Sequence, residues 1–327
     1  MNILIIRLSA LGDVAMTIPA IYSVAESYPM YRFHVLTTAF CSKIFIAPPT
    51  NVILHPLEKV SLKTIFQCVK DIRIDEVADL HNVLRSWVID IIYLLKGKRI
   101  AILDKKREER GAIKKNHHQT SVPFTVRYFQ VFSRLGMPWK NVFYRLPLSS
   151  LPGLPKDFPM DKRKKWIGIA PFARYRNKTY PLDLMRRVVE LLASNTEIEL
   201  FLFGSKKESQ VLASWGESPT QVRTIAGRYT IGQELSLIAR MEIMITMDSA
   251  NMHLASLVGT RVISIWGSTT PACGFLGWNQ REDDTVLSHC TCQPCTIAGS
   301  DKCKYDDFHC LTSISPEKVV EKVLSSL

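Results

Sequence analysis

Met247-Asp248-Ser249-Ala250-Asn251-Met252-His253-Leu254-Ala255-Ser256-Leu257-Val258-Gly259 is where an apolar strand, Ile243 to Met247, turns into a short helix. The helix is expected to open with Asp248 or Ser249 as its cap and to stop at Gly259. A helix N-terminus presents free N–H groups and a partial positive charge. Placed above a strand end, it is a site for a phosphate. Asp248, Ser249 and His253 lie on or next to that rim. A phosphate site with a carboxylate beside it points to an enzyme that handles an activated, phosphorylated molecule.

Outward from this turn the chain alternates β-like and α-like segments. Asn2–Ile6, Phe33–Thr37, Glu76–Asp79 and Arg99–Leu103 read as strands, and Pro19–Ser27, Ser86–Leu95 and Phe124–Leu135 as helices. Pro19 is expected near a helix start. Leu146 to Pro159 holds four prolines with Ser149, Ser150 and Gly153 and reads as a linker. The pattern then restarts. Trp166–Ala170, Glu199–Phe203, Ile243–Met247 and Arg261–Trp266 are strands. Helices are expected over Leu182–Leu192, with apolar positions at i, i+3, i+4 and i+7, and over Ile231–Arg240, opened by a Thr230/Gln233 capping box. Another follows Ser315-Pro316. The succession predicts an α/β protein of two doubly wound, Rossmann-like domains, residues 1–155 and 156–327, facing a central cleft. The final helix is free to pack back on the first domain. Ligands of such sheets bind beyond the carboxyl ends of the strands.

A chain of 327 residues suits two domains. No segment approaches the roughly 18 apolar residues that span a bilayer. Met1–Ile6 is a β-run followed, not preceded, by Arg7, so no signal peptide is expected and the reading is cytoplasmic. The net charge of +12 lies almost wholly in residues 1–155, which carry 21 Lys/Arg against 11 Asp/Glu. It is densest from Lys96 to Lys115, with nine Lys/Arg against three Asp/Glu. Such a run is either a solvated loop or a docking surface for an anionic partner: membrane lipid, phosphorylated glycolipid or nucleic acid. Aromatic residues are not interleaved with it, which speaks against a single-strand stacking surface.

Four constellations carry chemistry. Arg7-Leu8-Ser9-Ala10-Leu11-Gly12-Asp13 follows the first strand. Gly12 is expected in a tight turn, and Asp13 either caps a helical turn or serves as a general base toward an acceptor hydroxyl. The segment lacks G-x-G-x-x-G, so no dinucleotide fingerprint is present. Arg174, Arg176 and Lys178 follow Trp166–Ala170 and suit a diphosphate, with surface charge as the plainer alternative. In the Asp248–His253 turn, Asp248 contacts a sugar hydroxyl or caps the helix, and His253 is functional or packed. Last, Cys292, Cys295, Cys303 and Cys310, with Cys290, His289 and His309 nearby, suit a structural zinc site, reduced packing cysteines, or disulfide or redox use. No catalytic role follows from their spacing.

Taken together these residues resemble the lipopolysaccharide heptosyltransferases of glycosyltransferase family 9, which have a GT-B fold. The resemblance rests on Arg7-x-Ser9-x-x-Gly12-Asp13, Pro19-Ala20, Asp79-Leu80-His81 through Arg85-Ser86, and Lys178-Thr179-Tyr180-Pro181. It continues through Ala226-Gly227, Asp248 to Ala255, Trp266-Gly267-Ser268-Thr269, Cys292-Gln293-Pro294-Cys295 and Ile314-Ser315-Pro316-Glu317. It covers nearly the whole chain in order. Ala250-Asn251 replaces the family's usual Gly-Pro, and Thr179-Tyr180 its commoner Arg-Trp.

The resemblance implies an inverting glycosyltransferase. The sugar is L-glycero-D-manno-heptose from ADP-heptose, and the acceptor is a lipopolysaccharide core of the lipid A-core type or a related glycolipid. No cofactor is required, no nucleic acid is expected, and the enzyme would sit peripherally on the cytoplasmic surface of the inner membrane. Asp13 is the implied base. Lys178, Asp248, Ser249, Ala250, His253 and Arg174 are implied on the donor side, and Ser9, Gly12, His81, Arg85, Lys105, Lys106 and Arg107 on the acceptor side. The competing readings are a sugar-nucleotide epimerase of GT-B shape and a non-catalytic anionic-polymer binder.

Overall fold

The computed structural model describes residues 1–327 except 116–118, 141, 157, 159–162 and 217–220, so Pro159 of the linker stretch lies outside the described residues. Along the chain run β1 (Asn2–Ile6), α1 (Leu11–Ser27), β2 (Arg32–Thr38), α2 (Ala39–Ser42), β3 (Val52–Leu57), α3 (Leu62–Val69), β4 (Glu76–Asp79), α4 (Leu84–Leu95), β5 (Arg99–Ile102), α5 (Arg107–Ile113) and α6 (Phe124–Arg134). Then follow β6 (Lys165–Ala170), α7 (Leu182–Ala193), β7 (Ile198–Leu202), α8 (Ser209–Ala213), β8 (Val222–Thr224), α9 (Ile231–Ile238), β9 (Ile243–Met247), α10 (Ala250–Val258), β10 (Arg261–Ile265), β11 (Thr285–Val286), α11 (His309–Thr312) and α12 (Pro316–Leu324).

The chain divides into two compact units, Met1–Lys106 with Val122–Ser150, and Arg107–Ser121 with Leu151–Leu327. The division follows the Pro-rich stretch, at 150/151 rather than 155/156. It also assigns 107–121, read above as part of the first half, to the second unit. α5 explains this, because Arg110 and Ile113 are buried there and Ser121 donates its amide to Ala272 O at 2.8 Å.

Each unit is built on one parallel sheet, ordered β3-β2-β1-β4-β5 in the first and β11-β10-β9-β6-β7-β8 in the second. The central strands β1 and β9 are nearly continuous apolar runs. Ile3 to Ile6 and all of β9 are buried, as strands covered on both faces must be. In each sheet the chain winds one way from its first strand and then returns to the other side. The reversals fall between β1 and β4, where Ile6 pairs with Asp79, and between β6 and β9, where Ala170 pairs with Thr246. The loops after these four strands emerge side by side, which fixes where each unit can hold a ligand.

Three expectations need correction. α1 starts at Leu11, so Gly12 and Asp13 lie inside its first turn and Gly12 forms no tight turn. The Ala10 amide donates to Asp13 Oδ2 at 3.4 Å and closes that turn. Pro19 is therefore mid-helix, where it lacks an amide hydrogen; the almost wholly buried stretch from Val14 to Ala25 holds the helix together regardless. β3 is an added strand, legible only as an edge because Pro56 cannot serve a central ladder position. The C-terminal α12 buries Val319 and Val323 in the second unit's core with Met185, Val188 and Val189 of α7. Among the described residues no helix is long and apolar enough to cross a membrane.

Under the β4–α4 turn lie two buried carboxyl groups, Asp79 and Asp90. Burial, then the neighbouring Asp79 carboxylate, pushes Asp90 up to about 8. The folded unit therefore keeps a proton that the unfolded chain releases near the ordinary aspartate value. The Asp90 contribution is fully present below that value and is lost as pH rises toward about 8. An amide supplies the same donor without a proton. Asp90→Asn should therefore raise the urea midpoint by an amount that grows from about pH 4 to about pH 8 and levels off above; a pH-independent change would show that Asp90 is ionised in the fold.

Candidate active site

In the first unit the loop after β1 is tied to the loop after β4. Arg7 is buried. Its Nη1 donates to Leu80 O at 2.7 Å, and its Nη2 lies 2.8 Å from Asp13 Oδ2. Asp13 is about one-third exposed, and its Oδ1 has no hydrogen-bond partner among the described residues. Asp79 Oδ1 accepts the amides of His81 and Asn82 at 2.7 and 2.9 Å, while Oδ2 accepts the Ser86 hydroxyl at 2.7 Å. That hydroxyl also accepts the Val83 amide. The sequence spacing from Asp79 to Ser86 is therefore a helix-opening brace that sets His81 beside Arg7 and Asp13. Burial, then Arg7 and Lys105, push the His81 imidazole down to about 4, so it is neutral near pH 7. Its Nδ1 is buried without a partner.

The acceptor-side residues are not all gathered here. Lys105 Nζ donates to Asn82 O at 2.9 Å, which joins it to the His81 turn. Lys106 is exposed and pairs with Asp104 at 3.2 Å. Ser9 and Arg85 are exposed, and Arg85 is among the charges acting on His81. Arg107 opens α5 in the second unit, so the expected Lys105–Lys106–Arg107 surface does not belong to one unit.

In the second unit Lys178 follows β6 and Asp248 follows β9. Lys178 Nζ lies 2.6 Å from Asp248 Oδ2, with only 11% and 4% of the two side chains exposed. Thr269 Oγ1 donates to the same oxygen at 2.6 Å. Ser249 caps α10 by its backbone conformation, and its hydroxyl makes no cap bond and is buried without a partner. The helix starts at Ala250, carries His253 buried in its second turn, and ends at Gly259 with φ +78°. Its first-turn amides are therefore open to an anion immediately beside Asp248. Arg174 is exposed, its guanidinium 5.3 Å from the Tyr175 ring centroid, and is not one of the groups on Asp248.

Several residues without an assigned role complete this half. Arg110 reaches over the Phe275 ring at 5.0 Å and donates to Ile297 O at 3.3 Å; Lys178 Nζ lies over the same ring at 5.9 Å. The one signal for Arg110 is its place on a short helix inside the basic run. The irregular stretch from Gln293 to Ser300 braces the turns after β6 and β10. Gln293 Nε2 donates to the carbonyls of Trp266, Gly267 and Thr269 at 3.0, 2.6 and 3.3 Å. Ser300 donates its amide to Asn177 Oδ1 at 2.8 Å, and Asn177 O accepts from Ser268 N at 2.9 Å. Gly299 has φ +100°, and a Cβ there would stand 2.6 Å from Lys178 Cδ and 2.5 Å from the Tyr175 ring.

Cys290, Cys292, Cys295, Cys303 and Cys310 lie near enough to act on one another's thiols. Among the described residues no three His, Cys, Asp or Glu side chains are placed to hold a metal ion. Cys290 and Cys292 Sγ are 3.5 Å apart, and no cysteine is in a disulfide. Burial, then the Cys290 thiol, pushes Cys292 up to about 11. Cys310 is pushed up to about 12 by burial and then by neighbouring thiols.

The chain is similar to known proteins over nearly its whole length. Lipooligosaccharide heptosyltransferase 2 of Campylobacter jejuni is 24% identical over 321 residues, covering 96% of this chain and 95% of that protein. A glycosyl transferase family 9 structure from Veillonella parvula superposes with a TM-score of 0.75 at 15% identity, over 99% of this chain and 96% of that one. E. coli heptosyltransferase WaaC, solved with ADP-2-deoxy-2-fluoro heptose, gives 0.69 at 16% identity over the whole of both chains. The two parallel-sheet units thus have the GT-B fold. Residues 63–305 match glycosyltransferase family 9 (heptosyltransferase), and the chain belongs to that family.

Proposed function

We propose that this glycosyltransferase transfers L-glycero-D-manno-heptose from ADP-heptose, with inversion, to the core of a lipopolysaccharide or related glycolipid, at the cytoplasmic surface of the inner membrane and without a metal. The observation that carries the reading is the Lys178–Asp248 pair at the open amides of α10. It is supported by the C. jejuni relative's name and by the ADP-heptose analogue held by the E. coli neighbour.

The chemistry divides between the units. An acceptor hydroxyl attacks the anomeric carbon and gives its proton to Asp13 Oδ1. Arg7 and the Ala10 amide hold the other oxygen, Oδ2. The neutral His81 offers a further hydrogen bond to the acceptor. The bond from the anomeric carbon to the diphosphate breaks, and its electron pair leaves with ADP. The added negative charge on the leaving diphosphate meets Lys178 and the amides of Ala250 and Asn251, in place of a metal. Asp248 Oδ1, which carries no bond among the described residues, is left for a sugar hydroxyl.

Asp13→Asn removes the proton acceptor and keeps the shape. It should lower kcat by about 10²–10⁴-fold while the KM for ADP-heptose stays within about threefold; a near wild-type rate in a radiolabelled transfer assay would show that another group takes the proton. Gly299→Ala drives a methyl into the Lys178 stem. A displacement on the order of 1 Å costs about a hundredfold in rate, so kcat should fall by that order with the acceptor KM little changed. Unaltered kcat would mean that Lys178 is not set by Gly299.

A further inference from the structure

One exposed surface of the first unit is left over from both the core and the catalytic residues. α4 turns Ser86, Ile89, Asp90 and Tyr93 inward. Its opposite side exposes Leu84 (75%), Trp87 (42%), Ile91 (56%), Leu94 (62%) and Leu95 (83%). At 3.6 residues per turn these five fall in a stripe roughly 100° wide that runs the whole helix, about 18 Å. A helix that is apolar on both sides has a second apolar medium to meet, and a contiguous stripe of this kind marks an interaction surface.

The charges around the stripe say what that medium is. Arg85 and Lys96 are exposed between the stripe and the inward face, Lys96 Nζ 5.3 Å from the Tyr93 ring centroid, and Lys98 follows the helix. Between residues 84 and 98 the one acid is Asp90, which is buried on the other side. Apolar side chains with an indole among them, on a helix whose exposed charges from residue 84 to 98 are all cations, match the boundary between headgroups and acyl chains of an anionic bilayer. We propose that α4 docks the enzyme on the anionic surface of a phospholipid bilayer, its stripe sunk into the headgroup–acyl boundary and Arg85, Lys96 and Lys98 paired with lipid phosphates.

The helix begins at the turn that carries His81 and is braced by Asp79 through Ser86. Docking therefore holds the acceptor-side residues within one helix length of the bilayer. That consequence rests on the glycolipid reading of the acceptor, whereas the docking itself does not.

The test is co-sedimentation with vesicles. The wild-type chain should pellet with vesicles containing phosphatidylglycerol and not with pure phosphatidylcholine, and added salt should release it. The combined Ile91→Ser, Leu94→Ser and Leu95→Ser variant should bind at least about tenfold more weakly. Its melting temperature, and its transfer to a water-soluble core oligosaccharide, should stay unchanged. Lys96→Gln with Lys98→Gln should weaken binding by about tenfold or more with the stripe intact. The proposal fails if the wild type stays in solution, or if the serine variant pellets like it. It fails equally if the wild type is a dimer that the serine variant dissolves, since a second copy would then cover the stripe. Vesicle binding without transfer to any acceptor would leave the docking standing and remove the heptosyl reading.

Discussion

The Lys178–Asp248 ion pair is the contact around which the second unit is arranged. Taking both charges out of water is expensive, and the attraction offsets that cost only in good geometry with the remaining polar atoms satisfied. Every neighbour serves this end. Thr269 gives Asp248 Oδ2 a second donor. Gly299 lets the Lys178 stem lie flat. Asn177, locked between Ser300 and Ser268, fixes the turn from which Lys178 projects. Removing either partner of such a pair leaves an uncompensated buried charge, at a cost of about 3–5 kcal/mol. The carboxylate thus keeps a cation poised where an anion at α10 would need it.

The first unit uses the same device with different residues. A cation after its first strand, Arg7, reaches across the reversal to the backbone after β4, just as Lys178 reaches across from β6 to Asp248 after β9. The reason is topological. At a reversal the two neighbouring loops are not packed by a common crossover helix, so a crevice remains beyond the strand ends. A long cationic side chain fills it, ties the loops and leaves charge at the surface of the crevice. In one unit the tie holds the Asp13 carboxylate at the crevice, and in the other it holds the Lys178 ammonium beside the start of α10.

Much of this was legible in the sequence. Continuous apolar runs such as Ile243–Met247 mark central parallel strands, and Gly259 marks the end of α10, because both follow from local backbone chemistry. Thr230 with Gln233 and Ser315 with Pro316 identified helix starts for the same reason. The legibility fails where tertiary burial overrides the local signal. Pro19 argued for a helix start, yet packing of the surrounding residues carries α1 through it. The basic run from Lys96 to Lys115 looked uniform, but Arg110 is buried against Phe275 while Lys106 is exposed. Thr269, Gln293 and Gly299 act through contacts between segments far apart in sequence, which spacing cannot reveal. For Asp13 the helix-turn reading holds, since Oδ2 closes the first turn of α1 and Oδ1 takes no part in it.

The Gln293 brace has a consequence for how the protein ages. One side-chain amide serves three backbone carbonyls around the turn that ends in Thr269, and conversion to glutamate would replace that donor with a charge facing carbonyl oxygens. The usual route to such deamidation is attack on the side-chain carbonyl by the nitrogen of the following residue, which must first lose its hydrogen. Here the following residue is Pro294, whose nitrogen carries no hydrogen. The same dipeptide that braces the donor turn thereby shuts off its commonest path of chemical decay.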